Sequence, residues 1–133
     1  MPNASTLQFL LTLAKGIASQ FGPNCEVVVH DLATNDPERS IVAIENGHVT
    51  GRKVGDGPSH VVLEALRGNP EQLHDHLSYL TRTKDGKILK STTIYIRDDN
   101  GVPLGIFGIN YDITLMLAME NAIKQFTATE KDE

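Results

Sequence analysis

Apolar residues near the start of the chain recur at three- and four-residue spacing, which is the period of one face of a helix. This pattern predicts an amphipathic helix over residues 5–21, ended by Gly22 and Pro23. Phe9 and Leu13 lie beside the main stripe and form a second apolar edge. The edge either widens the face that packs on the core or provides a surface for a second copy of the chain. The main stripe consists of Leu7, Leu10, Leu11, Ala14, Ile17, Ala18 and Phe21.

Two short segments rich in β-branched residues come next, and each predicts a strand. The first covers residues 25–32 and the second covers residues 41–45, with a turn signal at residues 35–37 between them. Residues 46–58 contain four glycines and predict a loop, which we call the glycine-rich loop. Its glycine spacing fits neither the phosphate-binding nor the dinucleotide-binding motif, so we do not expect a nucleotide site there.

Short helices are predicted after the glycine-rich loop. One covers residues 61–67 with Ser59 as its N-cap, and another begins at residues 69–72, where a proline suits the first helical position. Residues 74–76, with the sequence His-Asp-His, are expected at the end of this second helix. Helical positions two apart do not share a face, so we do not expect a metal site at the two histidines.

The period then returns to two, and it predicts three strands joined by two hairpin turns. A final amphipathic helix follows, begun by Asp112 or Thr114, and residues 127–133 form a polar tail that is expected to fray. The three strands are predicted at residues 80–83, 88–97 and 102–111, and the turns at residues 84–87 and 98–101.

The order of elements is helix, two strands, short helices, three strands and helix, which predicts an α+β fold. Every link between strands except the middle one is short enough for a hairpin, so the five-stranded sheet is expected to be antiparallel. The short insert helices must then cross one face of the sheet and leave a pocket, while the N- and C-terminal helices flank the sheet. This layout is typical of a PAS domain, a module for small-molecule sensing and dimerisation.

Composition and charge restrict the class of protein. A chain of 133 residues with 40% hydrophobic residues suits one globular domain, and a net charge of −5 argues against a sequence-wide nucleic-acid surface. The single cysteine, Cys25, allows no internal disulfide, and no apolar run is long enough for a membrane span. We expect a cytoplasmic protein with no membrane partner, no metal and no cofactor.

Candidate binding residues occur at the end of the first strand and in the glycine-rich loop. His30 and Asp31 point to opposite faces because strand residues alternate, so one of them is expected on the core side. That residue either completes a hydrogen-bonded strand end or lines a sensor pocket. In the loop, Arg52 could bind a carboxylate through two hydrogen bonds, with Asn46 and His48 beside it. The alternative is a solvated turn with a surface arginine.

Tyr95 and Asn110, on the predicted central strands, are further candidates for the pocket. Gly108 in mid-strand costs stability and indicates that another group approaches closely. That group is either a packed helix or a ligand. The sequence contains no nucleophile elbow, metal motif or convincing pair of acidic residues, so we do not expect an enzyme.

Four stretches of the chain together resemble the YheO-like PAS family of bacterial transcriptional regulators. The combination of HDL, NGHVTGR and GINYD is specific, and the resemblance covers about residues 5–125. The stretches are FGPNCEVVVHDL (21–32), SIVAIENGHVTGRKVG (40–55), LKSTTIYIRDDNG (89–101) and LGIFGINYDIT (104–114).

The resemblance implies a cytoplasmic regulator in which a PAS-like half is followed by a helix-turn-helix half. Only seven residues follow Phe126, so the DNA-binding half is expected to be absent from this chain, and DNA is reached only through such a domain. Residues 1–133 are expected to form one sensor domain with an ordered core over 5–126. We expect a homodimer that binds a small, amino-acid-like molecule and signals to the DNA-binding domain. The alternative is a ligand-free dimerisation module.

Overall fold

A computed structural model of the protein describes residues 3–33, 36–130 and 132. Within these residues the helices and strands follow the predicted order, and short 3-10 turns occur at Pro37–Arg39, Gly47–Val49 and Pro70–Gln72. The main elements are α1 (Ala4–Phe21), β1 (Cys25–Asp31), β2 (Ile41–Glu45), α2 (His60–Arg67), β3 (His76–Arg82), β4 (Ile88–Arg97), β5 (Pro103–Asp112) and α3 (Thr114–Thr127).

The five strands form one antiparallel sheet in the order β2-β1-β5-β4-β3. The first and last strands therefore lie side by side. One part of the sheet is the β1–β2 hairpin, and the other is the run of β3, β4 and β5 joined by two hairpin turns. This arrangement confirms the predicted α+β, PAS-like fold with a five-stranded antiparallel sheet.

Helix α1 covers one face of the sheet. Its residues Leu10, Ala14 and Ala18 are buried against Val27 and Val29 of β1. The Asn3 side chain accepts a hydrogen bond from the Thr6 amide and caps the helix, and Gly22 ends it with a φ of 85°, which favours glycine. Leu7, Leu10, Ala14, Ile17 and Ala18 of the predicted stripe thus pack on the sheet. Phe21, also predicted in the stripe, is instead 58% exposed at the end of the helix, and Phe9 is 63% exposed.

Helix α2 covers part of the opposite face. Ser59 accepts a hydrogen bond from the Val62 amide, as its predicted capping role requires. Val62 then packs with Leu73, Tyr95 and Ile106 in a second apolar cluster. The short insert helices therefore lie on one sheet face and α1 lies on the other.

The segment around His76 differs from the prediction. His76 begins β3 rather than ending a helix, because the helical segment before it is a single turn that closes at Gln72. The strand was predicted too short because Ser78 has a φ of 53° at a bulge, which interrupts the two-residue alternation. Asp75 accepts a hydrogen bond from the Tyr95 amide at 2.9 Å and ties the segment to β4.

Helix α3 extends from the end of β5 and buries none of its residues on the sheet. It begins two residues after β5 ends, and Asp112 accepts hydrogen bonds from both the amide and the hydroxyl of Thr114. No loop is left in which the chain could turn back over the sheet. Its large apolar residues are consequently exposed: Leu115, Met116, Met119, Ile123 and Phe126.

Two predicted segments lie partly outside the described residues. Of the predicted turn at 35–37, Asn35 lies outside them, while Asp36 caps the 3-10 turn Pro37–Arg39 through the Glu38 amide. In the tail, Lys131 and Glu133 lie outside them, and the described residues after Thr127 form no helix or strand. Among the helices of the described residues, none has the length and apolar character that a membrane crossing requires.

Two glycine substitutions test this packing in opposite directions. A Cβ at Gly57 would lie 2.6 Å from the Cα and carbonyl oxygen of Glu38, whereas a Cβ at Gly16 in α1 would contact nothing within 4 Å. We expect Gly57→Ala to lower the free energy of unfolding by about 1–3 kcal/mol, as overpacking does. Gly16→Ala should raise it by about 0.5–1 kcal/mol through helix propensity. Urea denaturation measures both, and equal effects would contradict the structure.

Candidate functional site

A cavity of about 650 Å³ lies between the sheet and the glycine-rich loop, on the face opposite α1. The loop and the N-terminal end of α2 form its wall, and the β3–β4 hairpin forms its rim. Its floor is formed by residues of the central strands, among them Val28, His30, Leu89, Thr93, Ile106 and Gly108.

Gly108 contributes directly to the space in this cavity. A Cβ at this position would lie 2.9 Å from Cγ1 of Val28, which is closer than carbon atoms normally approach. The neighbour that the mid-strand glycine was predicted to accommodate is thus the Val28 side chain on the cavity floor. A side chain at position 108 would push into both that valine and the cavity.

Glu26 fixes the loop wall to the sheet. Its side chain is fully buried, and its Oε2 accepts hydrogen bonds from the Thr50 amide at 3.1 Å and the Thr50 hydroxyl at 2.6 Å. Its Oε1 accepts a third from Nδ2 of Asn110 at 2.8 Å. The Thr50 hydroxyl in turn accepts from the Arg52 amide, so the position of Arg52 depends on Glu26.

A strip of hydrogen-bonded polar side chains continues from Glu26 across the sheet. Oδ1 of Asn110 accepts from the Ser91 hydroxyl at 2.7 Å, and the Thr81 hydroxyl lies 2.9 Å from that of Ser91. Because Ser91 donates to Asn110, Thr81 is the donor to Ser91. This polar strip of Glu26, Asn110, Ser91 and Thr81 joins β1, β5, β4 and β3 on the cavity face.

Lys87 holds the loop from its other side. Its Nζ donates to the carbonyl oxygens of His48 and Val49, each at 3.1 Å, and Val49 is buried. Lys87 lies at the β3–β4 hairpin, so the loop bridges the two halves of the sheet. Residues 48–50 of the loop are therefore held from two sides, next to the cavity.

His30 is a buried residue of the cavity floor. Burial, and to a smaller extent the nearby positive charge of Arg52, together lower the pKa of His30 to about 4. Nδ1 of His30 lies 2.8 Å from the Ser40 hydroxyl. At neutral pH the imidazole is therefore neutral, and Arg52, on the adjacent loop wall, carries the positive charge.

Arg52 is half-buried at the cavity, and its guanidinium makes no hydrogen bond or ion pair with any described residue. The other charged residues at the cavity are Arg82, Lys84 and Lys87, together with Asp85. Four basic side chains thus face one acidic side chain, in a chain whose net charge is −5. The cavity is electrostatically suited to an anion.

Four of the seven predicted site residues line the cavity, namely His30, His48, Arg52 and Asn110. The other three do not. Asn46 donates from its amide to the carbonyl oxygens of Gly22 and Cys25, at 3.2 and 2.8 Å, and so connects β2 to the end of α1. Its φ of 56° explains why an asparagine occurs at this turn.

Asp31 and Tyr95 also lie away from the cavity lining. Asp31 accepts a hydrogen bond from the Ala33 amide at 2.9 Å and shapes the chain after β1. Tyr95 is buried beneath α2, and this burial raises the pKa of its phenol. Alternation along the strands predicts which face of the sheet these residues lie on. It does not predict which positions of that face the short insert helices cover and which remain open to the cavity.

Glu26 is the site residue that sequence reasoning missed. A glutamate within a β-branched strand resembles an exposed strand residue, and only its alternation with Val28 and His30 indicates the cavity face. Among the residues that the structure describes, no group of three His, Cys, Asp or Glu side chains is placed to hold a metal ion.

The lowered pKa of His30 predicts a loss of stability in mild acid. The pKa is about 4 in the folded protein and 6.5 in the unfolded chain, so between these values only the unfolded chain binds the proton. The free energy of unfolding should therefore fall as the pH decreases, by about 2 kcal/mol from pH 7 to pH 5. Denaturation of the parent and of His30→Gln at both pH values isolates this loss, and identical pH dependence would contradict it.

Comparisons with known proteins agree with this architecture. The profile of the YheO-like PAS domain matches residues 1–128. YheO of Escherichia coli is 37% identical over 106 residues, covering 74% of this chain and 40% of YheO. A protein of Haemophilus influenzae is 34% identical over 115 residues, covering 86% of this chain and 50% of its own length.

The transcriptional regulator DauR of Pseudomonas aeruginosa is 29% identical over 126 residues, which is 95% of this chain and 56% of DauR. The chain thus spans about half the length of these curated relatives. Among solved structures, a light-oxygen-voltage domain studied with a flavin analogue has a TM-score of 0.50 and 19% identity, covering 86% of this chain and 93% of that domain. This last likeness concerns the fold alone.

Proposed function

Because the chain belongs to the YheO-like PAS domain family, we propose that it is the sensory domain of a cytoplasmic bacterial transcriptional regulator. In this proposal a small molecule binds in the cavity and changes the signal that the domain passes to a helix-turn-helix domain. The similarity to the regulator DauR supports the regulatory role, and the length of the relatives leaves room for a second domain. A regulatory rather than an enzymatic role also fits the cavity, whose charged groups suit binding.

The guanidinium of Arg52 is the observation that carries the ligand proposal. It borders the cavity beside the neutral imidazole of His30 and has no partner among the described residues. A half-buried arginine without a counter-ion is suited to a carboxylate, which it binds through two parallel hydrogen bonds. We therefore propose an anionic or zwitterionic ligand of amino-acid size.

Substitution of Arg52 tests this proposal. Thermal-shift screening of amino acids and small carboxylic acids first identifies a ligand, and calorimetry then compares Arg52→Ala with the parent. A charged hydrogen bond in a partly closed site contributes about 1.5–3 kcal/mol, so affinity should fall about tenfold to a hundredfold. Arg67→Ala is the matched control, because Arg67 is an exposed arginine on α2 outside the cavity. Equal affinities of the Arg52 variant and the parent would remove Arg52 from the site.

A second candidate function is supported by the exposed apolar edge of α1. Phe9 is 63% and Leu13 is 39% exposed, although both lie on a helix whose other side is buried. Exposed aromatic and aliphatic residues of this kind favour association. We propose that a second copy of the chain covers this edge, so that the domain acts as a homodimer. A ligand-free dimerisation module would need this surface alone.

Charge substitutions on α1 test the homodimer. Phe9→Lys together with Leu13→Lys should shift the chain to a monomer with unchanged circular dichroism, because buried lysine is costly in an apolar interface. Gln8→Lys together with Ser19→Lys adds the same charge at exposed polar positions and should leave the dimer intact. Sedimentation velocity measures the state, and a monomeric parent at roughly tens of micromolar, where a weak interface is populated, would contradict the proposal.

A further inference from the structure

We propose that Ser40 fixes the tautomer of His30, so that His30 presents an N–H donor to the cavity and binds an oxyanion of the ligand together with Arg52. The tautomer of His30 is a property of the ligand-free protein. The identity of the ligand group that binds there rests on the proposed function and deepens it.

The contact between Ser40 and His30 occurs at an irregularity of the sheet. The register of β1 and β2 shifts between Val29, which faces Ala43, and His30, which faces Ile41. Ser40 immediately precedes β2, is fully buried, and accepts at its carbonyl from the Asp31 amide at 2.8 Å. This bulge directs the Ser40 hydroxyl at Nδ1 of His30, at 2.8 Å.

The direction of this hydrogen bond follows from the number of partners. The Ser40 hydroxyl has one hydrogen to donate, and Nδ1 of His30 is its sole hydrogen-bond partner in the described chain. If Nδ1 carried the proton, the buried hydroxyl hydrogen would have no acceptor, which is unfavourable. Ser40 therefore donates, Nδ1 accepts, and the single proton of the neutral ring lies on Nε2.

The Nε2–H group is available to the cavity. Nε2 of His30 has no hydrogen-bond partner among the described residues, and no fully buried side-chain nitrogen or oxygen there lacks a partner. Nε2 is consequently reachable from the cavity that His30 lines. Arg52, on the adjacent loop wall, has only donors.

Two neighbouring donors select the chemical group that binds between them. An oxyanion, such as a carboxylate or a phosphate, accepts from both His30 and Arg52 and offsets the charge of the guanidinium. An ammonium group would leave both donors unpaired and would be repelled. The other tautomer would place an acceptor beside Arg52 and favour a hydroxyl group instead. Ser40 is thus a positioning residue that determines which ligand group binds between His30 and Arg52.

Nitrogen NMR of the full chain without ligand tests the tautomer directly. With ¹⁵N-labelled histidine, long-range proton–nitrogen correlation should show Nε2 of His30 as the protonated nitrogen and Nδ1 as the unprotonated one. Comparison with His30→Gln assigns the signal among the five histidines. A protonated Nδ1 in the parent would overturn the proposal, and this measurement needs no variant of Ser40.

Substitution of Ser40 tests its role as the cause. Ser40→Ala removes the donor, so the His30 signal should change towards a mixture of the two tautomers. Ser40→Thr retains the hydroxyl and should restore the parent signal. An unchanged Nε2–H tautomer in a folded Ser40→Ala protein would overturn the role of Ser40. If neither variant folds, the parent decides: the Ser40 hydroxyl proton should show a correlation to Nδ1 of His30 across their hydrogen bond, and its absence would overturn the role of Ser40.

Small probe ions test the ligand group. Sodium acetate and inorganic phosphate should each shift the His30 Nε2–H signal of the parent, and methylammonium chloride should not. The effect of both anions should be lost in Arg52→Ala and retained in Arg67→Ala. A shift with methylammonium, or no shift with either anion, would overturn the choice of an oxyanion. If the tautomer is Nε2–H but no compound from the screen binds, the proposed sensory function fails while the tautomer stands.

Discussion

The buried carboxylate of Glu26 is the interaction on which the cavity depends. It accepts three hydrogen bonds, two from Thr50 and one from Asn110, and so it joins the glycine-rich loop to the central strands. Burial of a carboxylate is costly unless such donors surround it, and removal of one donor leaves a carboxylate oxygen of Glu26 without its hydrogen bond. The loop that carries Arg52 is consequently fixed to the sheet, and the guanidinium begins from a defined backbone position rather than from a mobile turn.

The two faces of the sheet differ in their polar content. On the α1 side, β1 contributes Val27 and Val29 to an apolar core, and alternation places Glu26 and His30 of the same strand on the cavity side. The α1 face stabilises the fold through apolar burial, whereas the other face combines the apolar cluster under α2 with the hydrogen-bonded polar strip, and no fully buried polar side-chain atom of the described residues lacks a partner. This separation lets the cavity carry polar groups for binding without weakening the packing of α1.

Much of this fold could be predicted from periodicity, since α1, β2 and the two hairpins lie where the patterns place them. Start and end signals at Ser59 and Gly22 also correspond to observed caps. The prediction was wrong where one residue changes the period, as Ser78 does at the bulge in β3.

At the site, Arg52 and Asn110 could be predicted because their chemistry is visible in the sequence. The hydrogen bonds of Glu26 and the backbone role of Asn46 depend on pairs more than 20 residues apart, which periodicity does not encode.

The attachment of α3 has a mechanical consequence. Its first turn is bonded to the start of β4, since the Ile88 amide donates to the Thr114 hydroxyl and the Ile113 amide donates to the Ile88 carbonyl. Its outer end touches little, and Phe126 is 90% exposed. The helix has 14 residues, is about 20 Å long and is held at one end only. A tilt of about 10° at the held end would therefore displace the other end by about 3–4 Å. Ile88 follows Lys87, which holds the glycine-rich loop, so the point at which α3 is attached lies one residue from the cavity rim.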